Sequence, residues 1–291
     1  MSAAWLQFIA SGLTAGAIYA LVALGFAIVF NASGAINFAQ GEFVMVGGMS
    51  AVSFLAMGLP LPLAILLAVA TSAIVALLIE RIAISPARNA STVTLIIITI
   101  GVALFLRGLA QLVWGKGVFR LPGFSGEDPI AFFGATLMPQ SLWVMGGAAL
   151  AVLALGAFYG RTLTGKAMLA TSYNRLAAQL VGVNTRAVLF ASFGLAAALG
   201  AIGGVLIAPI AFTSYDAGIM LGLKGFAAAM LGGLGSFAGA VVGGVVLGLL
   251  EGLGAGFVSS AYKDAIAFVV ILAVLFFLPG GLLGARHSDR V

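Results

Sequence analysis

Few side chains in this sequence could do chemistry, so the first question is what those few could do together. The stretch Gly160-Arg161-Thr162-Leu163-Thr164-Gly165-Lys166-Ala167 almost spells a phosphate-binding loop. It lacks the final Ser or Thr whose hydroxyl would reach a magnesium ion, and it follows an apolar run rather than a strand. Nucleotide binding by this chain is rejected on both counts. His287 is the single histidine and cysteine is absent, which removes most metal sites, disulfides and thiol chemistry. Gly252-Leu253-Gly254-Ala255-Gly256 lacks the spacing and strand context of a dinucleotide fingerprint. With no nucleophile, base and acid to assemble, the chain is not expected to be an enzyme.

What remains is a set of polar groups among apolar ones, which are costly to bury in a membrane and often functional there. Asn31, Asn37, Gln40 and Glu42 cluster between two apolar runs, with Gly34 and Gly41 loosening the backbone. Such a segment could dip into a bundle and set amide groups beside a conduit. An ordinary loop with Asn and Gln capping helix ends is the alternative. Glu251 lies in a Gly-striped run without a sequence-near basic partner, and its expected place is near an outer end, in water. Arg107 lies close to Trp114 and an interface, where snorkelling explains it better than contact with a substrate.

The elements that position these groups are dictated by composition. Of 291 residues, 63% are hydrophobic and 7% charged, and the mean hydropathy is +1.23. Soluble domains carry about a quarter charged residues, so a water-exposed globule is excluded and an integral membrane protein is expected. The formal charge of +5 is scattered between apolar runs rather than gathered into a basic patch. It reads as loop anchors on membrane lipid, with no nucleic-acid partner.

Apolar runs cover Trp5–Phe30, Phe43–Leu59, Leu61–Ile79, Val93–Gly115, Ser141–Gly160, Ala187–Ala208, Gly225–Gly256 and Ala265–Leu283. The predicted fold is an all-α polytopic transmembrane bundle of about eight spans, forming a single domain over 1–291. The seventh run is too long and Gly-rich for one plain helix. A break at Gly232-Gly233-Leu234-Gly235 would make it a broken or re-entrant segment, tolerated only inside protein or beside a water-filled cavity. The first run lacks a cleavage site and reads as a membrane helix rather than a removed leader.

Arg81 and Arg88, four basic residues in Arg161–Arg186, and Arg286 and Arg290 make eight of the thirteen Lys and Arg. Placing them in the cytoplasm puts the N-terminus outside and the C-terminus inside. Lys116, Arg120, Lys224 and Lys263 are then expected in outer loops beside Glu127, Asp128, Asp216 and Asp264.

Gly244, Gly248, Gly252 and Gly256 recur every fourth residue, Gly235, Gly239 and Gly243 form a second series, and Gly12 and Gly16 a shorter one. Tight helix packing is the favoured reading over a route lined by bare backbone. Met45-Val46-Gly47-Gly48-Met49 faintly repeats as Met230-Leu231-Gly232-Gly233-Leu234, in the manner of transporters built from duplicated halves.

Arg161–Arg186 is the most informative loop. Ala, Leu and Gln favour a short helix over Leu176–Leu180, and Gly182 can close it in a left-handed cap. Small residues with basic neighbours suggest a docking surface rather than a helix lying on lipid, and Arg175 could add a charged contact there.

That loop resembles the coupling segment of ABC importer permeases, with Leu176-Ala177-Ala178 and Gly182 in place of its Glu-Ala-Ala-x3-Gly core. Gly16-Ala17-Ile18-Tyr19-Ala20-Leu21-Val22-Ala23-Leu24-Gly25 and Ile36-Asn37-Phe38-Ala39-Gln40-Gly41-Glu42 resemble the opening of the branched-chain amino acid permease family, of the LivH rather than the LivM type. Gly222 to Phe226, Leu231 to Ser236 and Gly248 to Glu251 resemble its late signature, and Leu278-Pro279-Gly280-Gly281-Leu282-Leu283-Gly284 its C-terminal motif. The resemblance covers the full length.

It implies a permease of the bacterial inner membrane paired with a LivM-like second permease. Two cytoplasmic ABC ATPases would carry ATP and magnesium, leaving no cofactor in this chain, and a periplasmic substrate-binding protein would deliver the ligand. Transport would run by alternating access. Carried over by position, Ala177, Ala178 and Gly182 are the ATPase-coupling residues. Leu176 replaces the expected Glu and removes one polar contact, and Gln40 stands where relatives often carry His. Asn37, Gln40, Glu42 and Glu251 are the candidates for the substrate path. A weakly polar path without fixed ionic partners suits a neutral or zwitterionic solute, such as a branched-chain or other small neutral amino acid. The rival is a self-sufficient secondary transporter or channel for a small neutral solute, which would call for buried ionisable residues.

Overall fold

The computed structural model describes residues 2–87, 90–132, 135–257, 259–278 and 280–284. Arg88, Pro279, Arg286, His287 and Arg290, which entered the reading of loops, motif and tail, lie outside the described residues.

Each apolar run is helical. The helices are α1 (Ser2–Ser33), α2 (Gln40–Ala56), α3 (Leu61–Ile79), α4 (Thr92–Trp114), α5 (Pro139–Arg161), α6 (Leu163–Tyr173), α7 (Arg175–Leu180), α8 (Thr185–Ala211), α9 (Ala217–Gly232), α10 (Phe237–Phe257) and α11 (Lys263–Phe277). A π-helical turn, Glu80–Ile84, extends α3 without a break. α1, α3 with its extension, α4, α5, α8 and α10 are long and apolar enough to cross a membrane, and α9 is a shorter apolar helix. The chain is therefore an all-α multi-pass membrane protein of six to seven apolar spans. One short antiparallel hairpin, β1 (Ile130–Phe132) and β2 (Ala135–Leu137), stands in the connection between α4 and α5.

Lipid-facing and protein-facing helices differ plainly. Leu66, Ile74 and Leu78 of α3, Ile97 and Leu112 of α4, and Leu150 and Leu153 of α5 are exposed. So much bare apolar surface belongs against hydrocarbon or another membrane subunit. α1 is the reverse: from Ile18 to Val29 every residue is buried. Its 32 residues make the spine on which the bundle is built.

The glycine series explain how the spine is covered. A Cβ on Gly12 would stand 2.8 Å from the Gly248 carbonyl oxygen, and one on Gly16 would stand 3.0 Å from that of Gly244. The Gly244–Gly256 series thus lets α10 lie backbone to backbone on α1. Gly239 and Gly243 turn the other way and meet Gly232 and Ala228 of α9. Tight packing is the use of both series.

The seventh apolar run breaks where the sequence predicts, between α9 and α10. Gly233 has φ +105° there, a conformation that side chains resist. The chain end closes the break: Leu282 N–H donates to Leu231 C=O at 2.8 Å and Leu283 N–H to Gly232 C=O at 2.9 Å. These bonds satisfy carbonyls that a helix end leaves open. The Leu231 to Ser236 part of the late signature is thus bonded to Leu282 and Leu283 of the C-terminal motif. The faint internal repeat is not: Gly47 and Gly48 sit inside α2, whereas Gly232 and Gly233 end α9.

Gly248→Leu should wedge α10 from α1 and cost more than the ~1–3 kcal/mol typical of overpacking, because backbone rather than a movable side chain lies in the way. Gly146→Leu on α5, where a Cβ meets open space, should leave the melting temperature of the purified protein nearly unchanged. Equal melting temperatures for the two variants would contradict the packing described here.

Candidate functional site

The polar cluster after α1 is not an ordinary loop. Residues 34–39 turn back into the bundle, and Asn37, Gln40 and Glu42 are buried at 1%, 0% and 2% exposure. Backbone at that depth has no water to bond with, so protein groups replace it. Phe38 N–H donates to Thr99 Oγ1 of α4 at 3.1 Å, and Ala39 N–H donates to Asn37 Oδ1 at 3.1 Å. The Gln40 amide donates to Ala196 C=O of α8 at 2.9 Å. It fills the space that Gly25 of α1 leaves open, since a Cβ there would overlap it.

Glu42, in the first turn of α2, gains from the positive end of the helix dipole. Its Oε1 accepts from Arg107 Nη2 of α4 at 2.6 Å. Arg107 therefore does not simply snorkel to an interface: it neutralises a buried carboxylate. The expected path without fixed ionic partners does not hold at this point either. Sequence reasoning missed the pair because its members lie 65 positions apart. The available signal was that Arg107 falls inside an apolar segment and Glu42 directly before one, where each needs a partner.

The pair is incompletely satisfied. Glu42 Oε2, Arg107 Nε, Asn37 Nδ2 and Gln40 Oε1 are buried without a hydrogen-bond partner among the described residues. Buried polar atoms are nearly always bonded, so each such exception calls for a reason. Glu42 and Arg107 together form the polar end of a cavity of about 240 Å³ between α1, α2, α4 and α9. Phe26, Phe38, Ile100, Leu104, Ile219 and Leu223 supply its apolar walls.

Glu251 belongs to a second and separate cluster. It is buried at 5% exposure rather than sitting in water. Tyr19 Oη donates to Glu251 Oε2 at 2.7 Å, and Lys224 Nζ lies 2.9 Å from Oε1 and 2.7 Å from Asp264 Oδ1. Lys263 Nζ is 3.5 Å from the same Oε1. Lys224 is thus no outer-loop residue but a buried part of α9. Its charge is tolerable because two acids and a phenol surround it. Two cations, two anions and the Tyr19 phenol here tie α1, α9, α10 and α11 together.

Between α5 and α8 the sequence folds into two helices rather than a helix and a basic loop. Thr162 Oγ1 accepts from Gly165 N–H at 2.9 Å and starts α6. The near phosphate-binding loop is thus a helix cap, and Gly165 packs on the α5 backbone at Phe158 and Tyr159. Asn174 Oδ1 accepts from Ala177 N–H at 2.9 Å and starts α7. Gly182, at φ +90°, closes α7 as its composition predicts. The exposed face of α7 differs from expectation. Ala178 is buried, while Leu176 and Leu180 are 68% and 82% exposed, with Arg175 and Ala177 also exposed. Large apolar groups, not small ones, dominate what this end of the bundle presents.

Removing one member of a buried ion pair leaves the other charge stranded, at a cost of ~3–5 kcal/mol. Glu251→Leu should lower the melting temperature of the purified protein sharply, and Lys224→Met added to it should recover much of the loss. A double variant as unstable as the sum of the two single ones would show that they do not interact.

Comparison with known proteins follows the same lines. Residues 8–275 match the family described as Branched-chain amino acid transport system / permease component. The chain is 35% identical to the high-affinity branched-chain amino acid transport system permease protein LivH of Escherichia coli, over 99% of this chain and 98% of that one. It is 34% identical to the corresponding permease protein BraD of Pseudomonas aeruginosa, with the same coverage. It is also 28% identical to the galactofuranose transporter permease protein YtfT of E. coli, over 88% of this chain and 75% of that one. A family match of this extent identifies the chain: it belongs to the family of permease components of the branched-chain amino acid transport system.

Proposed function

We propose that this permease carries small neutral amino acids, the branched-chain ones first among them, as one membrane half of a binding-protein-dependent ABC importer. The observation that carries the reading is the end-to-end similarity to two permeases named for branched-chain amino acid transport. Similarity to a permease named for galactofuranose shows that related sequences are associated with other cargo.

The machinery is a single domain in the bacterial inner membrane, with its N-terminal end outside and its C-terminal end in the cytoplasm. The eight apolar segments, with α9 and α10 as the broken seventh, give that orientation if α9 and α10 enter and leave from the outer side. The segment from Arg161 to Arg186 then faces the cytoplasm with its four basic residues. Its exposed Leu176, Leu180 and Val181 form the docking face for one of two ATPases, which hold the ATP and magnesium. Arg175 and Ala177 flank that face, while Ala178 and Gly182 set its shape. With Leu176 in place of a carboxylate, the contact is apolar. A LivM-like permease covers the bare helices, and an external binding protein delivers the solute.

Purification from native membrane in mild detergent should recover a second permease and two ATPase chains, identified by mass spectrometry. A chain that is pure and transport-competent alone would establish the self-sufficient transporter instead. Leu176→Asp with Leu180→Asp should lower ATPase recovery about 30-fold, the effect of losing interface anchors worth ~2 kcal/mol. The melting temperature of the permease should not move, because both side chains are exposed. Undiminished recovery would show that the ATPases dock elsewhere.

A further inference from the structure

The cavity at Glu42 and Arg107 has a chemistry the general importer reading does not specify. Glu42 Oε1 is committed to Arg107 at 2.6 Å. Its Oε2 and Arg107 Nε remain buried and unpartnered among the described residues. One unspent acceptor on an anion and one unspent donor on a cation therefore belong to a single ion pair. Gly218 lets α9 lie close against this end of α2, since a Cβ there would stand 2.6 Å from the Gly41 carbonyl oxygen and 2.9 Å from Glu42 Oε2. The remaining walls are apolar, with Phe26 and Phe38 on one side and Ile219 and Leu223 on another.

We propose that this cavity is a transient binding site for a zwitterionic α-amino acid with an apolar side chain. The α-ammonium is received by Glu42 Oε2, the α-carboxylate by Arg107 Nε, and the side chain lies against the phenyl and aliphatic walls. The inference rests on the amino-acid cargo proposed above and names the site at which that cargo is read. Head-to-tail pairing of the two dipoles supplies the missing bonds on both sides. It adds no net charge to a buried place, so no ion is left uncompensated. A singly charged ligand would leave one charge stranded. A sugar would meet the ionic pair with uncharged hydroxyls only and would forgo the attraction between unit charges. The volume of about 240 Å³ suits a single amino acid and lies below the ~300–1,000 Å³ of sites for larger ligands.

The test is photo-crosslinking of the intact complex, purified with its co-assembling subunits. The probe is a diazirine analogue of leucine that keeps both the free ammonium and the free carboxylate. Mapped peptides should carry the label at Phe26, Phe38, Ile219 or Leu223, displaced by excess leucine and not by the same excess of a neutral sugar. Glu42→Gln with Arg107→Gln removes both charges together and should lower labelling about tenfold or more. Competition on the unaltered protein gives the answer even where that variant fails to assemble. Label placed elsewhere, absent, or insensitive to leucine overturns the assignment. Uptake of radiolabelled amino acids by cells expressing the whole importer separates the two claims. Uptake of leucine without label in the cavity overturns the site alone. No uptake of any neutral amino acid overturns the cargo reading, and the site with it.

Discussion

Every polar group that this chain carries into the membrane has to find its partner inside the protein, because hydrocarbon offers none. That constraint shapes the bundle more than the hydrophobic effect does. Lipid tails are as apolar as leucine, so burying leucine between helices gains little. What holds the helices in place is close backbone contact and the bonds that close contact brings within reach. Gly12 and Gly16 bring α10 against α1. With α10 in place, Glu251 can take the Tyr19 hydroxyl and the Lys224 ammonium. Gly25 leaves room for Gln40, and through it α2 is bonded to α8.

The two ionic clusters follow from that constraint with opposite outcomes. Around Glu251 two acids and two bases close on one another, with a phenol filling the last position. In such a cluster the buried Lys224 and Glu251 are spent on one another and on their neighbours, which fixes the arrangement of four helices. At Glu42 the closure is partial: two atoms of the ion pair remain unspent, and both of its residues line a cavity. A transport protein has reason to keep one polar site unfinished and the others complete. Structure separates them, because both present the same residue types in the sequence.

Local features were legible in the sequence because their causes are local. The apolar runs gave the helices, the Gly232 to Gly235 break gave the turn before α10, and Gly182 gave the end of α7. The four-residue glycine period gave close packing, though not the fact that its two series serve different neighbours. What escaped were contacts across long stretches of chain. Arg107 meets Glu42 from 65 positions away and Tyr19 meets Glu251 from 232, and no period or spacing encodes either. The burial of Ala178 escaped for a related reason: which face of a six-residue helix is covered depends on neighbours the helix itself does not contain.

The re-entry of residues 34–39 is the claim on which the rest hangs, and the absence of cysteine from the chain makes it directly testable. Single cysteines at Gly34, Ala39 and Leu176 would be exposed to a water-soluble maleimide in membrane fragments open on both faces, from cells that make this chain without its ATPases. The account predicts rapid labelling at 34 and 176, which are exposed, and protection at 39, which is fully buried. Equal labelling at 34 and 39 would make the segment a surface loop. The buried site built on Asn37, Gln40 and Glu42 would then be contradicted.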